Sequence, residues 1–435
     1  MIRIILAGYG FAWRALLPIV RAAAGSDRRM RALIGRGFLP GSWQVTERLA
    51  EGIDSAGEAA GHGGARALWL HCASLGEAKG MWAFALSLNE AEAVHLTAST
   101  GSGAAFLRLQ CRDLAARDGN GMRRLTASIA PFDHPEVVRR FLERRRVRGL
   151  CLYEVELWPH YLAGCRDLGL RTVLVSGRLS PKAFARYRRF GGAGARLLDG
   201  LAWIQAQSAA DRDRFLALTA TETVVGFDYK AVHFLTHSLP AASSRLPARF
   251  AFVSLHLPEL RLLLPGFAPL MRRGGVLVFP RRMSEVGAFR RLLEPLGFTT
   301  YSRDPGAGHL LVDSLGLVAD LLPQCHSAFV GGSLIPLGCH NLWEPLAAGL
   351  KIYFGPYVEN QQASAALLRE RGIAEVLNEP TRIGAVPLPG PEIRAACGTL
   401  LADLQGRLDS ALADGSRRIF VTFYPNANAR IAADA

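Results

Sequence analysis

From Ala67 onward the chain alternates short, nearly unbroken apolar runs with longer amphipathic stretches, and no other feature restricts its fold as strongly. "ALWLHCAS", "AVHLTAS", "RRLTASIA", "RGLCLYE", "TVLVSG" and "AWIQAQS" read as strands, each leading into a loop or helix, and "ETVVG" closes the series. A strand that is apolar at successive positions must be covered on both faces, so these runs predict a parallel sheet between layers of helix. A turn-rich stretch, "FDYKAVHFLTHSLPAASSRLPARF", interrupts the pattern and reads as an interdomain linker. Alternation resumes through "FAFVSLH", "GVLVFPR", "TTYSR", "HLLVDS", "SAFVGGS" and "KIYFGP". The expectation is an α/β chain of two Rossmann-like, doubly wound domains facing a central cleft at the carboxyl ends of their strands, where open α/β sheets take ligands. The boundaries that follow are a basic amphipathic segment over 1–40, a first domain over 41–228, a linker over 229–250 and a second domain over 251–435. The last helix, around "SRRIFVTFYPNANARI", is a candidate to cross back to the first domain.

A chain of 435 residues can bury two or three cores of its own. Its net charge of +14 comes almost wholly from arginine, since Lys79, Lys182, Lys230 and Lys351 are the only lysines. Such a balance suits an anionic partner: a lipid surface, a phosphorylated substrate or nucleic acid. Nucleic acid is the weakest of the three, because neither aromatic–basic interleaving nor a recognition-helix or zinc-finger pattern is present. The seven cysteines are scattered and odd in number, which argues for a reducing compartment and against a disulfide framework. No C-x-x-C pair or H-E-x-x-H spacing marks a metal site. In "MIRIILAGYGFAWRALLPIVRAAAG" the longest uncharged run, Ile4 to Trp13, is too short for a bilayer span, which takes about 20 residues. Arg3, Arg14 and Arg21 sit among Phe11, Trp13, Leu16 and Leu17, and Arg28, Arg29, Arg31 and Arg36 follow. This reads as an interfacial helix on an anionic leaflet, or else as an ordinary N-terminal helix packed on the body.

Four segments at predicted strand ends carry the polar chemistry. "HCASLGEAKG" puts Glu77 at a helix start, where the dipole favours the ionised carboxylate, so it is either a general base or a capping residue. "YEVELWP" sets Glu154 and Glu156 beside Trp158 and Pro159, and "VSGRLS" brings Arg178. "FVGGSLIPLGCHNLWEPLAAG" runs a strand into Gly331, Gly332 and Ser333, then places His340, Asn341 and Glu344 at the start of a helix. Such a strand end lets a ligand reach the backbone and such a helix end suits a phosphate; alternatively, the glycines make the tight turn any α/β protein needs.

Together and in this order, the segments resemble the Kdo transferases of lipopolysaccharide synthesis. These are inverting glycosyltransferases of the GT-B type, which move 3-deoxy-D-manno-octulosonic acid (Kdo) from CMP-Kdo to a lipid A precursor. The family pattern H-A-V-S-V-G-E is similar to His71–Glu77, and T-x-x-T-x-T-G to Thr97, Thr100, Ser102 and Gly103. P-Y-D matches Pro131 to Asp133, E-T-E-L-W-P matches Glu154 to Pro159, and N-A-R-L-S matches Ser176 to Ser180. G-G-S-L with G-G-H-N-P-L-E-P matches Gly331 to Leu334 and Gly338 to Pro345, and a later G-P…N matches Gly355, Pro356 and Asn360. The resemblance implies Glu77 as catalytic base. It implies a donor site of Arg281, Gly331, Gly332, Ser333, Asn341 and Glu344, and an acceptor site of Ser74, Gly76, Thr100, Glu154 and Arg178. It further implies no metal or other cofactor, CMP-Kdo and a lipid A precursor as partners, and an anionic membrane surface. The place implied is the cytoplasmic face of the bacterial inner membrane, with a peripheral or monotopic attachment.

The chain departs from the family pattern mainly on the donor side. Leu255 replaces Thr in S-T-H-x-x-E, which keeps Ser254, His256 and Glu259; P-R-H-x-x-R has become "PRRMSE", with Arg282 for His; Leu317 stands for a Glu, and Cys339 for the second Gly of G-G-H-N. Three other readings therefore stay open: a paralogue using another CMP-activated acidic sugar, a degenerate GT-B binding protein held at the membrane, and a UDP-sugar epimerase or transferase.

Overall fold

The computed structural model describes residues 66–89, 92–117, 124–154, 156–189, 197–235 and 249–424. The predicted amphipathic segment over 1–40 lies outside the described residues, as do positions 236–248 of the predicted linker. The chain divides into two compact units, one of residues up to His233 together with those from Arg407, the other of Phe234–Gly406.

The first unit holds seven parallel strands: β1 (Ala67–Cys72), β2 (Val94–Ala98), β3 (Leu125–Ile129), β4 (Val147–Tyr153), β5 (Thr172–Gly177), β6 (Ile204–Ala206) and β7 (Thr223–Val225). Their order is β3-β2-β1-β4-β5-β6-β7, so the chain winds outward from β1, returns beside it, and winds the other way. That reversal puts the topological switch point between the carboxyl ends of β1 and β4, the place where such sheets take ligands. Both faces are covered, as the apolar runs require. The buried Trp69 ring lies 4.7 Å from Phe141 and 4.8 Å from Tyr161, and its indole N–H donates to Thr97 Oγ1 at 2.8 Å. His95, fully buried, meets Thr126 at one ring nitrogen and Ser128 at the other, both at 2.8 Å, which is a satisfied core histidine.

Two motifs are explained by this packing. Asp133 of "PFD" accepts the N–H groups of His160 (3.0 Å) and Tyr161 (3.1 Å), so it caps the Pro159–Asp167 helix that "LWP" opens. The final helix, Pro391–Phe423, ends inside this unit. Trp203 Nε1 donates to Thr422 Oγ1 at 2.8 Å, Gln205 Nε2 to the Ala411 carbonyl at 3.0 Å, and Ser416 Oγ to the Ser87 carbonyl at 2.9 Å. Phe423 packs so close to β4 that a Cβ on Gly149 would stand 2.0 Å from its ring.

The second unit has its own seven parallel strands: β8 (Arg249–Leu255), β9 (Gly275–Pro280), β10 (Thr299–Thr300), β11 (His309–Leu311), β12 (Cys325–Val330), β13 (Lys351–Phe354) and β14 (Ala374–Val376), ordered β10-β11-β9-β8-β12-β13-β14. Its switch point falls between β8 and β12. Phe250, Phe252, Phe267, Phe289 and Phe329 fill the core on one face. Among the described residues, no helix is long and apolar enough to cross a membrane.

Candidate functional site

In the first unit, Ser74 is the extended N-cap of the Leu75–Ser87 helix. The Glu77 carboxylate folds back onto the turn, Oε1 accepting from Ser74 Oγ at 2.9 Å and Oε2 from the Ala73 N–H at 2.8 Å. The side chain is buried at 8% exposure, and burial, followed by the charge of Glu154, pushes its carboxyl above the usual range despite those bonds. The bonds that cap the helix thus also fix a carboxylate whose proton affinity is raised. Gly76 stands exposed, needs no left-handed backbone, and a Cβ there would meet nothing within 4 Å. Thr100 accepts the Gly103 N–H at 3.3 Å and donates its own N–H to the Ala73 carbonyl at 2.9 Å, tying the turns after β1 and β2 together.

Around Glu77 stands a charged cluster of which the strand-end segments mark Glu154 and Arg178 but neither Lys230 nor Asp228. Glu154, at the end of β4, is ion-paired with Lys230 and accepts from Gln207 Nε2 at 3.3 Å. Burial alone would lower the Lys230 ammonium, but Glu154, and then Asp228 and Glu77, raise it. Burial likewise raises the Asp228 carboxyl, against the pull of Lys230 and, more weakly, Arg178. Arg178 is half-buried, in a turn held by the Leu179 N–H on Asp211 Oδ1 at 2.9 Å. Three carboxylates therefore share one lysine beside the β1/β4 switch point. Glu154 and Ser176 have left-handed φ of 55° and 50°, and such strain concentrates where a site needs it. Glu156 sits apart: Trp158 Nε1 donates to it at 2.8 Å and His71 Nε2 lies 3.7 Å away. Burial would raise its carboxyl, yet those donors outweigh it and hold the group low, so Glu156 fastens the turn.

In the second unit, the expected cradle of free amides is already occupied. Glu259, fully buried in the Leu257–Leu263 helix, accepts from the N–H groups of Gly332 (2.8 Å), Ser333 (3.0 Å), Leu334 (2.9 Å) and His256 (3.2 Å). The Gly331 N–H goes to the Val253 carbonyl at 2.9 Å. Ser333 is fully buried, its Oγ donating to the Val330 carbonyl and accepting from the Gly355 N–H. The expected phosphate contact with these amides thus meets a carboxylate of the chain's own. The glycines serve close approach instead: a Cβ on Gly331 would lie 2.4 Å from the Ser254 carbonyl oxygen, and Gly332, at φ 74°, leaves room for the His340 ring 3.0 Å from where its Cβ would be.

The helix expected to begin at Asn341 runs only from Trp343 to Ala347, and Asn341 Oδ1 takes the Trp343 N–H at 2.9 Å. So short a helix has a weak dipole, and part of its amide end is spoken for. Glu344 lies half-buried in its first turn, and Arg281 is exposed just after β9, its N–H on the Leu255 carbonyl. His256 and His340 stack with ring centres 5.1 Å apart and Nε2 atoms 2.8 Å apart. The sequence assigns no role to either histidine or to Glu259; the signal it offers is that all three remain in motifs whose neighbours differ from the family pattern. The departures are mostly packing residues. Leu255 and Cys339 are buried and Leu317 rests against a cluster with Leu310 and Leu321, whereas Arg282 is exposed, 3.7 Å from Glu285. Cys339 adopts a left-handed φ of 66° where the family pattern has glycine, a strain of about 1–2 kcal/mol.

Comparison with known proteins agrees with this architecture. Residues 44–230 match the 3-deoxy-D-manno-octulosonic-acid transferase (kdotransferase) family. A 3-deoxy-D-manno-octulosonic acid transferase of Bordetella pertussis is 31% identical over 333 residues, 70% of this chain and 76% of that protein. A bifunctional glycosyltransferase/methyltransferase of Fusobacterium nucleatum is 24% identical over 311 residues, 67% of this chain but only 48% of its own length. Among solved structures, Glycyrrhiza uralensis UGT73P12, complexed with glycyrrhetinic acid 3-O-monoglucuronide, superposes with a TM-score of 0.53 at 8% identity, covering 85% of this chain and 99% of that one. That likeness speaks to the fold alone. Two parallel Rossmann-like sheets and the extended match to the Bordetella protein make this chain a GT-B protein that belongs to the 3-deoxy-D-manno-octulosonic acid transferase family.

Proposed function

We propose that the chain transfers Kdo from CMP-Kdo to a hydroxyl of a lipid A precursor, with inversion at the anomeric carbon, at the cytoplasmic face of the bacterial inner membrane. The observation that carries this reading is Glu77: a buried carboxylate pinned at a strand-end turn, its proton affinity raised, beside an open glycine. A hydroxyl is a poor nucleophile at neutral pH, and a fixed carboxylate of raised basicity is what its activation needs. Glu77 takes the acceptor proton as the oxygen forms its bond to the anomeric carbon; the bond from that carbon to the phosphate oxygen breaks, and CMP leaves with the electron pair. Lys230, Arg178 and the arginine-rich surface supply positive charge for an acceptor that carries phosphate. Gly76, Ser74, Thr100 and Glu154 line the acceptor side, while Arg281, Asn341 and Glu344 serve the donor.

The test is turnover by the purified full chain with freshly generated CMP-Kdo and a lipid A precursor, beside Glu77→Ala and Glu344→Ala. The expected result is product from the wild type, a loss of about 10²–10⁴ in rate for Glu77→Ala with CMP binding kept, and a raised KM for CMP-Kdo in Glu344→Ala. A folded wild type that binds CMP but makes no product would redirect the reading to another acidic sugar or acceptor. One that binds no nucleotide would end it.

A further inference from the structure

With the Gly332–Leu334 amides taken by Glu259, an anion at the β8/β12 switch point needs another receiver. We propose that His256 and His340 receive the phosphate of the nucleotide as one proton-sharing pair, and that binding there draws in a proton. The geometry carries this. Their Nε2 atoms stand 2.8 Å apart, so between them lies a single hydrogen, one ring donating and the other accepting. Each neutral ring has one N–H, and a second proton would place hydrogen on both Nε2 atoms and break the bond between them. Two N–H groups would then each need an acceptor, and a phosphate with two negative charges can supply an oxygen to both. The backbone fixes the pair: the main-chain N–H of His256 donates to Glu259 Oε2 at 3.2 Å, the main-chain N–H of His340 donates to the Gly331 carbonyl at 3.0 Å, and Gly332 leaves space against the His340 ring.

The charges facing the pair come from two places, the helix after β8 and the turn after β9. Glu259, on the helix after β8, and Glu285, in the turn after β9, favour protonation; Arg281 and Arg282, just after β9, oppose it. Burial first, then Arg281 and His256, hold His340 down to about 4, and burial also lowers His256, so the empty pair is neutral near pH 7. A bound dianion reverses that balance and raises the affinity of the pair for a proton.

This inference rests on reading the second unit as a CMP site, and the experiment separates the two. Calorimetric titration of the full chain with CMP and with cytidine, between pH 8 and pH 7, keeps the phosphate largely dianionic, its second pKa being about 6. The expected result is CMP affinity that tightens roughly threefold per pH unit, the slope of half a proton taken up, while cytidine affinity stays flat. In His340→Asn and in His256→Asn, each checked by thermal melting, the CMP slope should vanish. CMP that binds with no pH slope, or with a slope that survives both substitutions, overturns the proposal and leaves the CMP reading standing. If neither ligand binds, the CMP reading falls and takes the proposal with it. Should the variants fail to fold, the wild-type contrast between CMP and cytidine still decides.

Discussion

Glu77 caps its helix, and in the proposed reaction the same carboxylate is the base. Its bonds to Ala73 and Ser74 favour the charged form, but burial and the charge of Glu154 win, leaving the carboxyl raised. The sign of the pH dependence follows. A base acts only when ionised, so kcat/KM should rise with pH through the elevated value of Glu77. Glu154→Gln removes a negative neighbour and releases Lys230, whose charge also favours ionised Glu77. Both changes lower the Glu77 value, so the acidic limb of the kcat/KM profile should move to lower pH. A limb that stays in place would show that the rate reports another group, and one that moves upward would reverse the assignment of Glu154.

At the scale of elements, the strand–helix alternation was readable because a strand buried on both faces is mostly apolar, and β1, β2, β4, β5, β8, β9 and β12 are buried along most of their length, with His95 and Thr97 of β2 among the polar exceptions that find partners inside. β14, three residues at an edge with the exposed Glu375 at its centre, escapes notice because it has no apolar run to mark it. The position of Glu77 was legible from its helix start. The contents of the glycine turn were not, because nothing in "GGSL" says that a carboxylate 73 residues away, at Glu259, has taken its amides. Long-range polar pairing of this kind leaves no local pattern. It does make a prediction about the turn after β12 as a unit. Glu259→Gln keeps the shape but sets an amide NH2 against N–H donors, leaving buried groups unpaired at about 1–3 kcal/mol. The urea midpoint of unfolding should fall accordingly, with m unchanged. An unchanged midpoint would mean that water or a rearranged loop replaces the carboxylate, and the turn would then be open to an anion after all.

Across the whole molecule, the chain completes its first unit last. Residues up to His233 make a full parallel sheet, yet the segment from Arg407 adds Leu408, Ile419 and Phe423 to that unit, all buried. Burying three such side chains is worth roughly 1.5–3 kcal/mol each, so about 5–9 kcal/mol together. A domain is stable by only about 5–15 kcal/mol, so the returning helix supplies a large share of what holds the unit folded. Polar bookkeeping points the same way: without the helix, Trp203 loses Thr422 and Gln205 loses the Ala411 carbonyl, leaving partners unmet beside an uncovered sheet. A chain ended after Gly406 should therefore lose protection from hydrogen exchange throughout β4, β5 and β6, although every residue of those strands is present. Strands β8, β9 and β12, whose core does not include residues after Gly406, should keep theirs. Equal loss in both sheets would mean that the two units unfold as one. Full protection in the first would mean that the sheet stands without its final helix, and that the glycine at 149, which exists to admit Phe423, could be filled at no cost.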